Sequence, residues 1–540
     1  MSSVASLHAL ETVILLLLVM VAGFAVMAHR LKVPYPIVLV LAGLAISFVP
    51  HMPRIPLEPS MVFLIFLPPL LYSSAWSTSW REFRSNLVVI GLLAFGLVGF
   101  TVWGMAEFSD RFITALDWKA GFLLGAVIST TDAIAATSIA RSIGLPRRIV
   151  DILEGESLLN DATGLLALEI GLKLISQGET PTVVGGLARL IWLVVAGLGI
   201  GLVIGIVVGW LERFIDNGPV ELVVSLIVPY AAYLAGEEIR ASGVLAVVAC
   251  GLYLSRQSAT FFSPSVRMQV VGAWDALTFV LNGIVFVLIG MQMPYVMAAI
   301  HGQYGMVTLL EYGAIFSVML IVLRMIWVFP AVKIAGFARR LTGHKEEELG
   351  SRNVFVIGWT GMRGVIALAA AISVPETLAN GQPFGPRNLI VFLTFCVILV
   401  TLVLQGLTLP SVIRALGLAD EKGMEPEERY ARRVALKEAI EFLEESRRER
   451  WEEFAHAYDD LIDRYEHRLA EVDEDHAAHA GHGKETYRQV LVLAEGAVQA
   501  ERRAIIRLRD EGLIGDDVLR TMERELDLEE TRYRLAEMVT

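Results

Sequence analysis

Apolar residues fill the first three-quarters of this chain in long windows separated by short polar stretches, and the pattern collapses after Leu416 and Gly417. A helix needs about 20 mainly apolar residues to cross a hydrocarbon layer roughly 30 Å thick. Windows of that kind lie near 9–28, 35–50, 59–76, 86–106, 119–140, 149–175, 183–211, 220–236, 241–255, 271–291, 305–331, 352–374 and 388–415. The pattern therefore predicts an all-α polytopic membrane protein with about 13 transmembrane helices, of which the second and ninth are short. An odd number places the two ends on opposite sides of the membrane. The run from Thr12 to Ala28 has only His8 and Glu11 before it and no small-residue cleavage site after it, so it reads as the first span and not as a signal peptide.

Beyond residue 417 two charged segments, near 425–471 and 485–538, are predicted to be helical. The first repeats Ala435, Ile440, Leu443, Trp451, Phe454, Tyr458 and Leu461 at helical spacing, which predicts packing on a partner or between the two helices. The break between the segments reads DEDHAAHAGHGK. Its His476, His479 and His482 sit among alanine and glycine with no other ligand in view, so it reads as a solvated linker rather than a metal site. Two domains are expected: a transmembrane domain over 1–417, made of an ion-translocating bundle and dimerisation helices, and an acidic helical domain over 418–540 that regulates it or supports a dimer.

Charge is divided in the same place. Of the whole-chain net charge of −12, residues Asp420–Thr540 hold 20 basic and 33 acidic side chains, leaving the preceding part close to neutral. An acidic tail argues against nucleic-acid binding. Cys250 and Cys396 both fall in apolar runs, which makes a disulfide framework or thiolate metal site a poor reading. Basic residues in short loops favour the cytoplasm. With a cytoplasmic tail, the loops on its side carry about fifteen, among them Arg30, Arg81, Arg84, Arg147, Arg148, Arg213, Arg339 and Arg340, against about six opposite, so the N-terminus is expected outside.

The candidate chemistry lies inside the apolar windows. Asp161 sits in ESLLNDATGLLAL and, twenty-nine residues earlier, Asp132 sits in GAVISTTDAIAATSIA. An ionisable residue at the bilayer centre costs about 2.5–3.5 kcal/mol on insertion scales, so such groups mark ion or proton pathways. On a helix, Glu154, Ser157 and Asp161 share a face and Glu156 and Asn160 form the adjacent stripe. Asp161, Asp132, Ser157 and Thr131 offer the hard oxygen ligands that Na+, Li+ and K+ prefer; the alternative is that these groups only hydrogen-bond between helices. Arg324 and Arg363 also fall in apolar windows and must face carboxylates, with Glu154 and Glu156 the obvious partners, or freed carbonyls. Thr and Gly in TTD near 130 and WTGMRG near 361 interrupt two spans in corresponding places, as in transporters with inverted repeats and crossed, partly unwound helices. Pro68 and Pro69 are expected to break a third.

Together ESLLNDATG, TTDAIAATS, FLPPLLY and GMRGVIALA resemble monovalent cation/proton antiporter family 1, the NhaP-type bacterial sodium/proton antiporters, over about 1–415. The resemblance implies the NhaA/NhaP-like fold and a homodimer in the bacterial inner membrane whose core moves against a rigid dimerisation domain. It implies that Asp161 is the ion-binding carboxylate, with Asp132, Thr131 and Ser157 as companions, and that Glu156 and Arg324 form an ion pair steadying Asn160. Many members carry a glutamate after FLPPLL; here that position is Ser73. The expected activity is exchange of Na+, with Li+, for one proton without net charge movement, since Asn160 cannot titrate. No cofactor is expected beyond the transported ions, and the expected partners are membrane lipid and a second copy, with no nucleic acid. A K+/H+ exchanger of the same architecture is the alternative, and an intramembrane aspartyl protease a remote one, because Asp132 and Asp161 stand in TTDA and LLNDA and not in YD and GxGD contexts.

Overall fold

The computed structural model describes the chain except residues 1, 50–56, 177–181, 216, 342–348, 379–381, 419–425, 450–457, 460, 467, 470–482, 512–515 and 538–540. His476, His479, Trp451 and Phe454, and with them most of the linker, lie outside the described residues, as does His482. The described residues are helical apart from turns and one isolated pairing of Thr377 with Pro383. They divide into two compact units, Met1–Asp420 and Glu421–Thr540.

In the first unit eight helices are long and apolar enough to cross a membrane, or nine when the bent pair Trp118–Ile128 and Ala133–Ala140 counts as one span. The 30-residue helix Arg147–Ser176 lies outside that group because of the charged residues it carries. Outward faces are strongly apolar: Leu15, Val19, Val195, Val203 and Trp210 are all more than half exposed. Such a surface would be an aggregation hazard in water and is ordinary against lipid.

Helices approach closely where glycine removes the side chain. A Cβ at Gly43 would lie 2.3 Å from the Val287 carbonyl oxygen, and one at Gly290 only 2.2 Å from that of Val40, so Tyr35–Ser47 packs backbone to backbone on Pro264–Met291. Gly201 serves Val183–Glu212 in the same way against the Ala246 carbonyl. Gly290→Ala should force the first pair apart at a cost of about 1–3 kcal/mol. A lowered unfolding temperature in detergent is the expected result; an unchanged one would show the contact to be slack.

Two spans are interrupted. Trp118–Ile128 ends before Ser129–Asp132, a stretch whose side chains compete with the helix for backbone hydrogen bonds, and Ala133–Ile143 resumes at an angle of 41°. Ser351–Trp359 and Val365–Ile372 are separated by residues 360–364, where Gly361 and Gly364 leave the backbone free of steric restraint. The two breaks touch: the Asp132 amide donates to the Met362 carbonyl at 2.8 Å.

Pro68 and Pro69 do not break their helix. Pro59–Ser77 continues through them because Val62–Phe66 widens into a π-helical turn just before, with the Leu67 amide donating to the Val62 carbonyl. The Ile65 carbonyl, which Pro69 cannot bond for want of an N–H, accepts instead from the Tyr230 hydroxyl at 3.0 Å.

In the second unit the segment expected as one helix over 485–538 is two, Gly483–Asp510 and Asp516–Glu537, packed as a hairpin around Val498, Ile505 and Leu526. Arg502 bridges Asp527 and Glu530, each at 2.8 Å. In the preceding segment the expected stripe is met at Ile440 and missed at two positions. Leu436 and Ile462 are buried while Ala435 and Leu461 are exposed, and Leu436 packs with Ile440, Tyr465 and Leu469.

Candidate functional site

The Arg147–Ser176 helix carries two polar stripes that serve different neighbours. Glu154, Ser157 and Asp161 line a cavity of about 80 Å³, which is also walled by Thr130, Thr131, Asp132, Ser74 and Asn282. Glu156 and Asn160 turn the other way. Arg324 grips Glu156 through both carboxylate oxygens, at 2.5 and 2.8 Å. Thr131 Oγ1 donates to Glu156 Oε1 at 3.1 Å and accepts from Asn160 Nδ2 at 2.5 Å. The resulting chain, Arg324 to Glu156 to Thr131 to Asn160, clamps the first helix break to the Arg147–Ser176 helix.

Ser157 adds a second clamp: its Oγ donates to the Thr131 carbonyl at 2.8 Å and accepts from the Ala133 amide at 3.3 Å. Asp132 caps the resumed helix, its Oδ1 accepting from the Ile134 amide at 2.8 Å. Thus Thr131, Ser157 and Asp132 are all committed to holding the break. Asp161 differs from them. It is 2% exposed, and its Oδ1 has no hydrogen-bond partner. A buried acceptor left empty is costly unless something fills it, and the cavity beside it has room for a few water-sized or ionic occupants.

The arginines separate in role. Arg324 pairs with Glu156 and also donates to the carbonyls of Ile357, at 3.0 Å, and Thr360, at 3.2 Å. Arg363, expected to meet Glu154 or Glu156 or else freed carbonyls, takes the second course: its Nε donates to the Ile128 carbonyl at 2.9 Å and its NH1 to that of Gly361. Each guanidinium therefore covers the negative C-terminal end of an interrupted half-helix. The backbone beside them is tightly enclosed, since a Cβ at Gly364 would fall 2.2 Å from Asp132 Oδ2 and 2.7 Å from its Cβ. Gly364→Ala should displace Asp132 and reduce any activity of this site more than about tenfold, a change of 1.4 kcal/mol or more. Gly385→Ala, with nothing within 4 Å, should be neutral; equal rates for the two variants would disconnect Asp132 from function.

Ser73 does not reach the inner cavity. It lines an adjoining one of about 190 Å³ with Ser74, Ser77, Thr137, Ser138, Glu154, Thr278 and Asn282. Ser74, Asn282 and Thr137 escaped the sequence reading because a neutral polar residue in an apolar run carries no distinguishing signal.

Two interrupted helices meeting beside buried carboxylates at membrane depth are the architecture of a secondary transporter. The family model described as "Sodium/hydrogen exchanger, transmembrane" matches residues 14–415, and the chain belongs to that family. An uncharacterized Na(+)/H(+) exchanger of Mycobacterium bovis is 33% identical over 97% of this chain and 96% of its own length. The Na(+)/H(+) antiporter ApNhaP of Aphanothece halophytica is 33% identical over 76% of this chain and 75% of its own. A sodium, potassium, lithium and rubidium/H(+) antiporter of Bacillus pumilus is 29% identical over 86% and 69%. In fold, the chain is similar to the sodium proton antiporter MjNhaP1 of Methanocaldococcus jannaschii, with a TM-score of 0.60 at 21% identity over 77% of this chain and all of that one. The chain is thus a transmembrane ion transporter of the sodium/proton antiporter class and not an enzyme, which removes the protease alternative.

Proposed function

We propose that the chain exchanges Na+, and Li+, for one proton across the bacterial inner membrane by alternating access, as a homodimer with its N-terminus outside and its acidic tail cytoplasmic. The observation that carries this reading is Asp161, a buried carboxylate whose Oδ1 has no protein partner and which lines the cavity at the double helix break. Asp161 binds either a proton or a cation, and the core moves only when that charge is compensated, because an uncompensated charge crossing the bilayer is expensive. Asp132, Thr131 and Ser157 complete the cation's shell, with backbone-clamping as their second task. Asn160 offers no proton, so exchange is one for one and electroneutral. Thirteen spans result if Tyr35–Ser47, Arg147–Ser176, Gly243–Phe261 and the interrupted 351–372 segment cross in addition to the nine. The tail regulates transport or supports the dimer.

A second reading, K+/H+ exchange, is favoured by the Bacillus relative's cation range and by Ser73 standing where a carboxylate would add charge. The test is proton movement in everted vesicles on adding Na+, Li+ or K+, with and without the membrane potential clamped. Responses to Na+ and Li+ that survive the clamp are expected. A response to K+ alone selects the second reading, and silence with all three overturns antiport.

A further inference from the structure

The two cavities share six lining residues: Leu70, Ser74, Ile134, Thr137, Glu154 and Asn282. They lie where an outer chamber of about 190 Å³ adjoins the inner one of about 80 Å³. Leu70 and Ile134 supply apolar surface there, while a carboxylate, an amide and two hydroxyls supply oxygen from four different helices: Glu154 from Arg147–Ser176, Asn282 from Pro264–Met291, Ser74 from Leu67–Ser77 and Thr137 from Ala133–Ile143.

We propose that Glu154, Asn282, Ser74 and Thr137 form a second binding station for a monovalent cation, occupied before the cation reaches Asp161; the inference rests on the antiport reading above. The separation argues for two sites. Glu154 and Asp161 are seven residues apart on one unbroken helix, or about 10 Å along its axis at 1.5 Å per residue. Direct contacts between hard cations and oxygen ligands are only about 2.3–2.6 Å for Ca2+, short against that rise, so an ion held by Asp161 and one held by Glu154 occupy different positions unless both side chains lean toward each other along the helix. Position argues for order. The chamber at Ser73 and Ser77 is the more open of the two and adjoins the one at Asp161, so an ion entering from that side meets Glu154, Asn282, Ser74 and Thr137 first. The outer chamber runs toward Ser77, Ser138 and Thr278, of which Ser77 ends its helix.

The experiment measures equilibrium binding of Tl+ as the probe to full-length purified protein, alongside exchange in proteoliposomes. Asp161→Asn should retain one Tl+ per chain, and adding Glu154→Gln or Asn282→Leu should weaken that residual binding about tenfold, or 1.4 kcal/mol. In the otherwise native protein Glu154→Gln should raise the apparent KM for Na+ far more than it lowers kcat, with Glu154→Asp recovering part of the loss. Absence of residual binding in Asp161→Asn, with its unfolding temperature retained, overturns the station. Native proteoliposomes that respond to none of Na+, Li+ and K+ would instead overturn the antiport reading, so the two failures are distinct.

Discussion

Proteoliposomes carrying Asp161→Asn are expected to show no cation-driven proton movement, a loss of more than about 100-fold, equivalent to roughly 2.7 kcal/mol, while the protein stays folded. The amide is nearly isosteric with the carboxylate but neither carries charge nor releases a proton. The fold should not suffer, because Asp161 Oδ1 accepts no hydrogen bond that the substitution would break. Removing a charge from a site 2% exposed also removes its desolvation cost. The unfolding temperature should therefore be equal to or above that of the native chain. Exchange and thermal stability measured on the same preparation test both halves; rapid exchange by the variant would sink the assignment of Asp161.

Arg324→Ala should have the opposite signature, a loss of the folded protein itself. Arg324 and Glu156 are each 1% exposed, and breaking such a pair by removing one member costs about 3–5 kcal/mol because the other charge stays buried. The same substitution strips the carbonyls of Ile357 and Thr360 of a donor and leaves Thr131 bonded to a carboxylate no longer held in place. Poor yield and a sharply lowered unfolding temperature are expected. Arg324→Met combined with Glu156→Met should recover much of the stability, since no lone charge remains. A single variant as stable as the native chain would mean the pair is not structural.

The contrast between these residues was partly visible in the sequence. Helical spacing alone separated Glu154, Ser157 and Asp161 from Glu156 and Asn160, and the structure turns the first group to the cavity and the second to the Arg324 network. Clustered Thr, Asp and Gly likewise signalled the two helix breaks. What spacing cannot convey is which of two acceptable partners a buried cation takes. Glu and a freed carbonyl both satisfy a guanidinium, and Arg363 meets carbonyls because the ends of two half-helices converge on it.

Proline carried a misleading signal at Pro68 and Pro69. Local chemistry says that the i−4 carbonyl is lost, but not that a π-helical turn and the distant Tyr230 will absorb the loss. In the tail, Gly512 and Gly515 in EGLIGDD marked the split between two helices more clearly than the charge pattern did. Leu436 and Ile462 are buried in place of Ala435 and Leu461, because a highly charged helix with few apolar residues constrains its own rotation little.

The arginine caps bear on leakage. Six carbonyls around the double break already accept hydrogen bonds: those of Ile128, Thr131, Ile357, Thr360, Gly361 and Met362. A cation arriving there finds one lone pair of each already engaged, so these peptide dipoles hold it less well than the free carbonyls of a channel filter do. Its charge must instead be cancelled by a carboxylate whose neutralisation is all or none. On the proposed reading of Asp161, such a region passes charge only in exchange for charge, and an uncompensated leak is disfavoured.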